Sequence, residues 1–131
     1  MLIGVTEPGT AQSTSSTGRS TLSGVYTEAQ ADRGKDLYAA MCRSCHTVAT
    51  HTPTFKASWS GRPLSDLFGY ISQNMPQNSP GALSPDEDAV VVAYLLRMMG
   101  LPAGTTELPS DVTLLEQIQF DTLTAATSRP N

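Results

Sequence analysis

"AAMCRSCHTVAT", residues 39–50, holds both cysteines of a 131-residue chain and one of its two histidines. Cys42 and Cys45 are separated by two residues, and His46 follows at once. Two thiols at this spacing, placed at a helix end, reach both vinyl groups of one porphyrin as thioethers. The next residue then lies beneath the iron as an axial ligand. Cys-x-x-Cys-His is therefore read as an attachment site for one covalent haem c, held through Cys42 and Cys45 with His46 on the metal. Three alternatives compete. A redox dithiol of the thioredoxin kind needs a βαβ setting that the surrounding sequence lacks. Half of a zinc site needs further ligands, and only His51 is left over. A disulfide closing so short a loop stabilises little.

Composition fits a chain built around a cofactor. Aromatic residues make up 6%, with a single Trp, so large rings are scarce as core fillers. The length suits one domain with a modest core. Net charge is −4, and Lys35 and Lys56 are the only lysines. Nucleic acid is thereby an unexpected partner, because it demands a basic patch. No segment approaches the ~18 consecutive apolar residues of a membrane span. The N-terminus lacks the basic start and apolar stretch of an export signal.

Working outward, residues 1–24 read as a flexible Ser/Thr-rich tether. Structure is expected from Tyr26, with Thr27 as N-cap and Gln30 completing a capping box. Ala31, Gly34, Tyr38 and Met41 mark one face of a helix that ends near Cys42. Gly34 costs that helix stability and so implies another backbone packed close to it. Residues 47–62 have no period and read as a loop. Leu64, Leu67, Phe68 and Ile71 fit a helix from Pro63 to about Gln73. "NMPQNSPGAL", residues 74–83, is broken by Pro76, Pro80 and Gly81 into an irregular loop. Ser84-Pro85-Asp86-Glu87 is a strong helix start, and Asp86, Glu87 and Asp88 complement the helix dipole. Gly100 and Pro102 stop that helix. Leu108, Val112, Leu115 and Ile118 suit a short helix or a strap over the domain, and residues 122–131 read as frayed. The implied organisation is 1–24 tether, 25–102 haem domain and 103–131 extension packed upon it.

A sixth ligand can be sought among the methionines. His51 lies too near His46 to reach the opposite haem face and reads as a loop histidine. Met1 is on the tether, Met41 adjoins Cys42 on the wrong face, and Met98 and Met99 suit core packing. Met75 remains, on a loop stiffened by Pro76, where a side chain can reach across the haem. The competing reading makes Met75 a loop plug and leaves the iron open.

The order "GKDLYAAMCRSCH", "FKASWSGRPLSDLFGYISQNMP" and "PGALSPDEDAVVVAYLLRMMGLPAG" resembles class I cytochrome c. It looks most like the monohaem domains found beside quinoprotein dehydrogenases and in related bacterial redox chains. The resemblance runs from Tyr26 to Leu115. It implies an all-α fold of three to five helices wrapped around one haem. It implies His46 and Met75 as iron ligands, and a first helix that crosses the last where Gly34 and Tyr38 meet Ala93 and Tyr94. Trp59 matches a tryptophan near the haem propionates, Arg62 a residue that neutralises one of them, and Pro53 a carbonyl that orients the His46 ring. No simple Gly-Pro step follows the histidine, a departure that weakens the Pro53 match.

A six-coordinate iron has no open position for substrate, so the expected function is one-electron transfer between redox proteins rather than enzymatic catalysis. The alternative is a haem subunit with an open distal site that binds small ligands or reduces peroxide. Expected partners are a redox donor and acceptor: a dehydrogenase, an oxidase or a membrane redox complex. Haem attachment of this kind implies a periplasmic or other extracytoplasmic location, with the export signal removed and a membrane tether permitted by the N-terminal spacer.

Overall fold

The computed structural model describes residues 19–42 and 53–122. The Cys45, His46 and His51 readings, and those for residues 1–18 and 123–131, lie outside the described residues. Helices dominate, as expected for an all-α fold: α1 (Glu28–Met41), α2 (Pro53–Trp59), α3 (Leu64–Asn74), α4 (Pro85–Met98) and α5 (Val112–Leu115). Two short strands, β1 (Arg19–Ser20) and β2 (Ile118–Gln119), pair in parallel. Among the described residues no helix is long and apolar enough to cross a membrane.

Each long helix starts where local chemistry directs it. Thr27 caps α1 by accepting from the Gln30 N–H at 3.1 Å. The other half of the expected box is not made. The Gln30 side chain instead grips the chain far downstream: Nε2 donates to the Leu108 carbonyl at 2.9 Å, and Oε1 accepts the Leu108 N–H at 2.8 Å. Gln30 is buried, and two backbone partners outcompete the cap. At α4 both halves form. Ser84 Oγ accepts from Glu87 N–H at 3.2 Å, Glu87 Oε1 accepts from Ser84 N–H at 2.8 Å, and Pro85 takes the first turn.

α1 and α4 cross at Gly34. A Cβ there would overlap the Val90 carbonyl oxygen, lie 2.6 Å from its carbon and 2.9 Å from Tyr94 Cβ. Beside that contact the rings of Tyr38 and Tyr94 lie 5.3 Å apart, tilted by 58°. The close backbone is thus that of Val90, one turn before Tyr94, rather than Ala93. Ala31 and Tyr38 on α1 and Ala93 on α4 are buried. Arg97 locks its edge by donating to Glu28 at 2.9 Å and Asp32 at 2.8 Å.

Two expectations need correction, and a third is refined. The stretch read as a loop over 47–62 contains α2, too short to display a period; Pro53 opens it with a φ suited to a first helical turn. The expected tether includes ordered chain at its end. Thr21 is fully buried, exchanging hydrogen bonds with the Asp121 backbone at 2.6 and 2.9 Å, and Ser20 donates to the Asp121 carboxylate at 2.6 Å. The segment after Pro102 is both strap and short helix, and it anchors through buried Leu108, Leu115, Ile118 and Phe120.

Candidate functional site

Cys42 is the C-cap of α1. Its N–H still donates to the Tyr38 carbonyl at 2.8 Å, and its side chain is half-buried against the core. The Cys-x-x-Cys-His motif therefore begins where the helix stops. That is where a thiol can turn from the helix axis toward the interior.

Met75 is placed by an analogous device. It caps α3, its N–H donating to the Ile71 carbonyl at 3.0 Å, and its backbone is extended at φ −119° and ψ 149°. The cause is local: the ring of Pro76 excludes the helical region for the residue before it. The Met75 side chain consequently departs from α3 and rests, half-buried, against the same core that Cys42 touches. Two turns follow, with Ser79 N–H donating to the Pro76 carbonyl at 2.9 Å and Ala82 N–H to the Ser79 carbonyl at 3.1 Å. Buried Leu83 then fixes the far end of the loop.

Trp59 ends α2 within an aromatic row. Its ring lies 6.3 Å from Phe55 and 5.6 Å from Tyr70, which is 45% exposed. The Arg62 guanidinium sits 4.5 Å over the Trp59 ring while Nε donates to Asp66 at 3.0 Å. This turn is fastened from outside: Gly61 N–H donates to the Phe120 carbonyl at 2.7 Å, and Phe120 N–H to the Arg62 carbonyl at 2.9 Å. Trp59 and Arg62 are thus brought together, with Arg62 held by a carboxylate of this chain. Pro53 opens α2.

Sequence reasoning misses two residues with structural weight. Phe120 pins the Trp59–Arg62 turn through its backbone, a pairing that leaves no periodic trace. Asp88 stands beside the dipole-complementing acids, yet only Asp86 and Glu87 are exposed. Asp88 is 1% exposed and its Oδ1 has no hydrogen-bond partner. Burial pushes its carboxyl up from 3.8 to about 6, and neighbouring Glu87 adds to the rise. Its spacing to Val91, Val92 and Leu95 places it on their buried stripe, the signal that could have revealed it.

The residues present suit a haem. A thiol and a thioether, both half-buried at helix ends, rest on one apolar core. A thioether is a neutral, soft donor of the kind found opposite histidine in electron-transfer haems. Among the described residues no three His, Cys, Asp or Glu side chains gather as a cage for a bare metal ion.

A family model described as cytochrome C oxidase, cbb3-type, subunit III matches residues 29–95, just over half of the chain. The match begins in α1, spans the attachment motif and Met75, and ends inside α4. No curated protein and no solved structure matches the chain. The family binds haem of the c type, held covalently, and serves haem-based electron transfer. The chain belongs to the cbb3-type cytochrome c oxidase subunit III family and is a class I c-type cytochrome domain.

Proposed function

We propose that this chain is a one-electron carrier whose haem is joined to Cys42 and Cys45 and ligated by His46 and Met75. Bound there, the haem supplies reversible one-electron chemistry. The protein supplies burial, two axial donors and a fixed frame, so that little rearranges when charge changes. The observation that carries this reading is the backbone of Met75. Pro76 forces it out of α3, and the turns after it hold its thioether against the core that also receives Cys42. Trp59 is proposed to lie at the propionate edge. Arg62, spread over its ring and paired with Asp66, is proposed to screen that edge, and the Pro53 carbonyl to orient the His46 ring.

The family supports partners in an oxidase or other membrane redox complex and an extracytoplasmic or membrane-associated setting. Within that frame the chain is proposed to relay electrons between a donor and an acceptor protein outside the cytoplasm. Absorption spectroscopy of the oxidised and reduced protein tests the ligand set. A sulfur-to-iron charge-transfer band in the oxidised form, and no CO binding by the reduced form at neutral pH, are expected. Loss of that band in Met75→Ala completes the assignment. Ready CO binding by the wild-type chain refutes Met75 as ligand and favours an open distal site.

A further inference from the structure

Asp88 is a buried acid that the electron-carrier reading does not use. It lies 1% exposed in the first turns of α4, with Oδ1 unpartnered. Its stripe, with Val91, Val92 and Leu95, faces the interior. Val90 and Tyr94, which meet Gly34, lie on roughly the opposite side of the helix. An orphaned carboxyl oxygen in such a place costs stability and needs a reason.

We infer that Asp88 is a redox-linked proton site, protonated beside the reduced haem and ionised beside the oxidised one. This rests on the electron-carrier reading above. When an electron leaves for the acceptor protein, the interior gains one positive charge. The Asp88 O–H bond then breaks heterolytically, the electron pair stays on the carboxylate, and the proton passes to solvent near the exposed first turn Ser84–Glu87. Re-reduction by the donor protein takes the proton back. Charge in the interior is thus kept constant through the cycle.

Among the described residues, Arg33, Asp36, Asp86, Glu87 and Glu107 line one cavity beside the first turns of α4, where Arg33 pairs with Glu107. Among the described residues Glu87 is the charged neighbour that acts on Asp88. The loop 75–83 entering α4 carries no titratable side chain. On α3, Asp66 is engaged outside by Arg62, and Tyr70 lies exposed against Trp59. On α1, Glu28 and Asp32 are held by Arg97 at the Gly34 side. A domain of this size has a radius on the order of 13 Å. At that separation and an effective permittivity of about 20, one unit of charge moves a carboxyl pKa by about one unit.

Spectroelectrochemical titration of the holoprotein against pH tests the inference. The wild-type midpoint potential is expected to fall as pH rises around pH 6 and to level on either side. Asp88→Asn is expected to flatten that region. Equal slopes in both proteins assign the proton elsewhere and overturn the inference, as does a flat wild-type profile. Should Asp88→Asn fail to mature, Asp88→Leu serves, and carbon-13 NMR of the wild-type Asp88 carboxyl gives an independent readout. A lower titration midpoint in the oxidised form supports the inference, and identical midpoints overturn it. A chain that acquires no haem spectrum refutes the electron-carrier reading itself, and the proton site with it. A haem protein with a flat profile refutes the proton site alone.

Discussion

Substituting Gly34 by alanine tests the α1–α4 crossing on which the site is built. By intrinsic preference the change stabilises a helix by about 1 kcal/mol. The crossing opposes it. The added methyl would overlap the Val90 carbonyl oxygen and approach its carbon to 2.6 Å, where ordinary contact begins at 3.4 Å. The obstacle is backbone, so no rotamer change relieves it and the helices must part. Overpacking of this kind costs about 3 kcal/mol at the upper end of its usual range. Loosening the Tyr38–Tyr94 ring contact adds about 1 kcal/mol. The net expectation is a loss of about 3 kcal/mol, which in a small domain lowers Tm by roughly 12–24 °C. Thermal unfolding followed by circular dichroism measures it. Gly69, inside α3, is the internal control: a Cβ there meets nothing within 4 Å, so Gly69→Ala should raise stability by up to about 1 kcal/mol. A Gly34→Ala protein that melts at or above the wild-type temperature would show that the two helices do not touch here.

Met75→Ala should remove the sulfur-to-iron band and lower the midpoint potential, since methionine ligation raises it; an unchanged spectrum places the ligand elsewhere. Gln30→Ala removes both hydrogen bonds to Leu108 and should destabilise by about 1–3 kcal/mol in denaturant titration, with faster proteolysis after Pro102; unchanged cleavage would deny that Gln30 holds the strap. For Asp88 the folded pKa, about 6, lies above the ordinary 3.8, so its stabilising protonated state is complete below about pH 4 and is lost as pH rises through 6. From about pH 4 to 7.5 the stability gap between Asp88→Asn and wild type should therefore shift in the variant's favour by about 2.5 kcal/mol, read from paired denaturant midpoints, and a pH-independent gap contradicts the buried carboxyl.

What could be read in advance was chemistry confined to a few neighbouring residues. The Ser84–Glu87 box forms because both partners sit within one turn. Met75 leaves its helix because Pro76 is adjacent, a steric effect that needs no tertiary context. Gly34 was legible as a local cost that demanded a distant cause. Elsewhere tertiary partners decided the outcome. Gln30 abandons its own N-cap because Leu108, far along the chain, offers two backbone groups in a buried site. α2 has seven residues, too few for a 3.6-residue period to emerge from composition. Asp88 sits beside two exposed acids, and only the helix phase separates it from them. The two-residue strands pair Arg19 with Ile118, and nothing in so short a pair distinguishes it from loop.

These long-range pairings share a direction. The chain after residue 95, beyond the family match, binds back onto backbone or polar groups on the haem-bearing part. The Leu101 carbonyl accepts from the Tyr26 hydroxyl at 2.5 Å, Leu108 holds Gln30, Phe120 holds Gly61 and Arg62, and Asp121 holds Ser20 and Thr21. Each of these partners flanks α1 or the Trp59–Arg62 turn, and none belongs to the Met75 loop. The extension thus stiffens the side of the domain that carries α1 and the aromatic row, while among the described residues the Met75 loop is held by its own turns, by the Ile71 carbonyl, by Leu83 and by the core. With the haem attached as proposed, rigidity at the Cys42 end would fix where it lies. Under the proposed ligand set, the Met75 loop, held by two turns and one buried leucine, is then the element whose opening would most easily change the iron's sixth ligand.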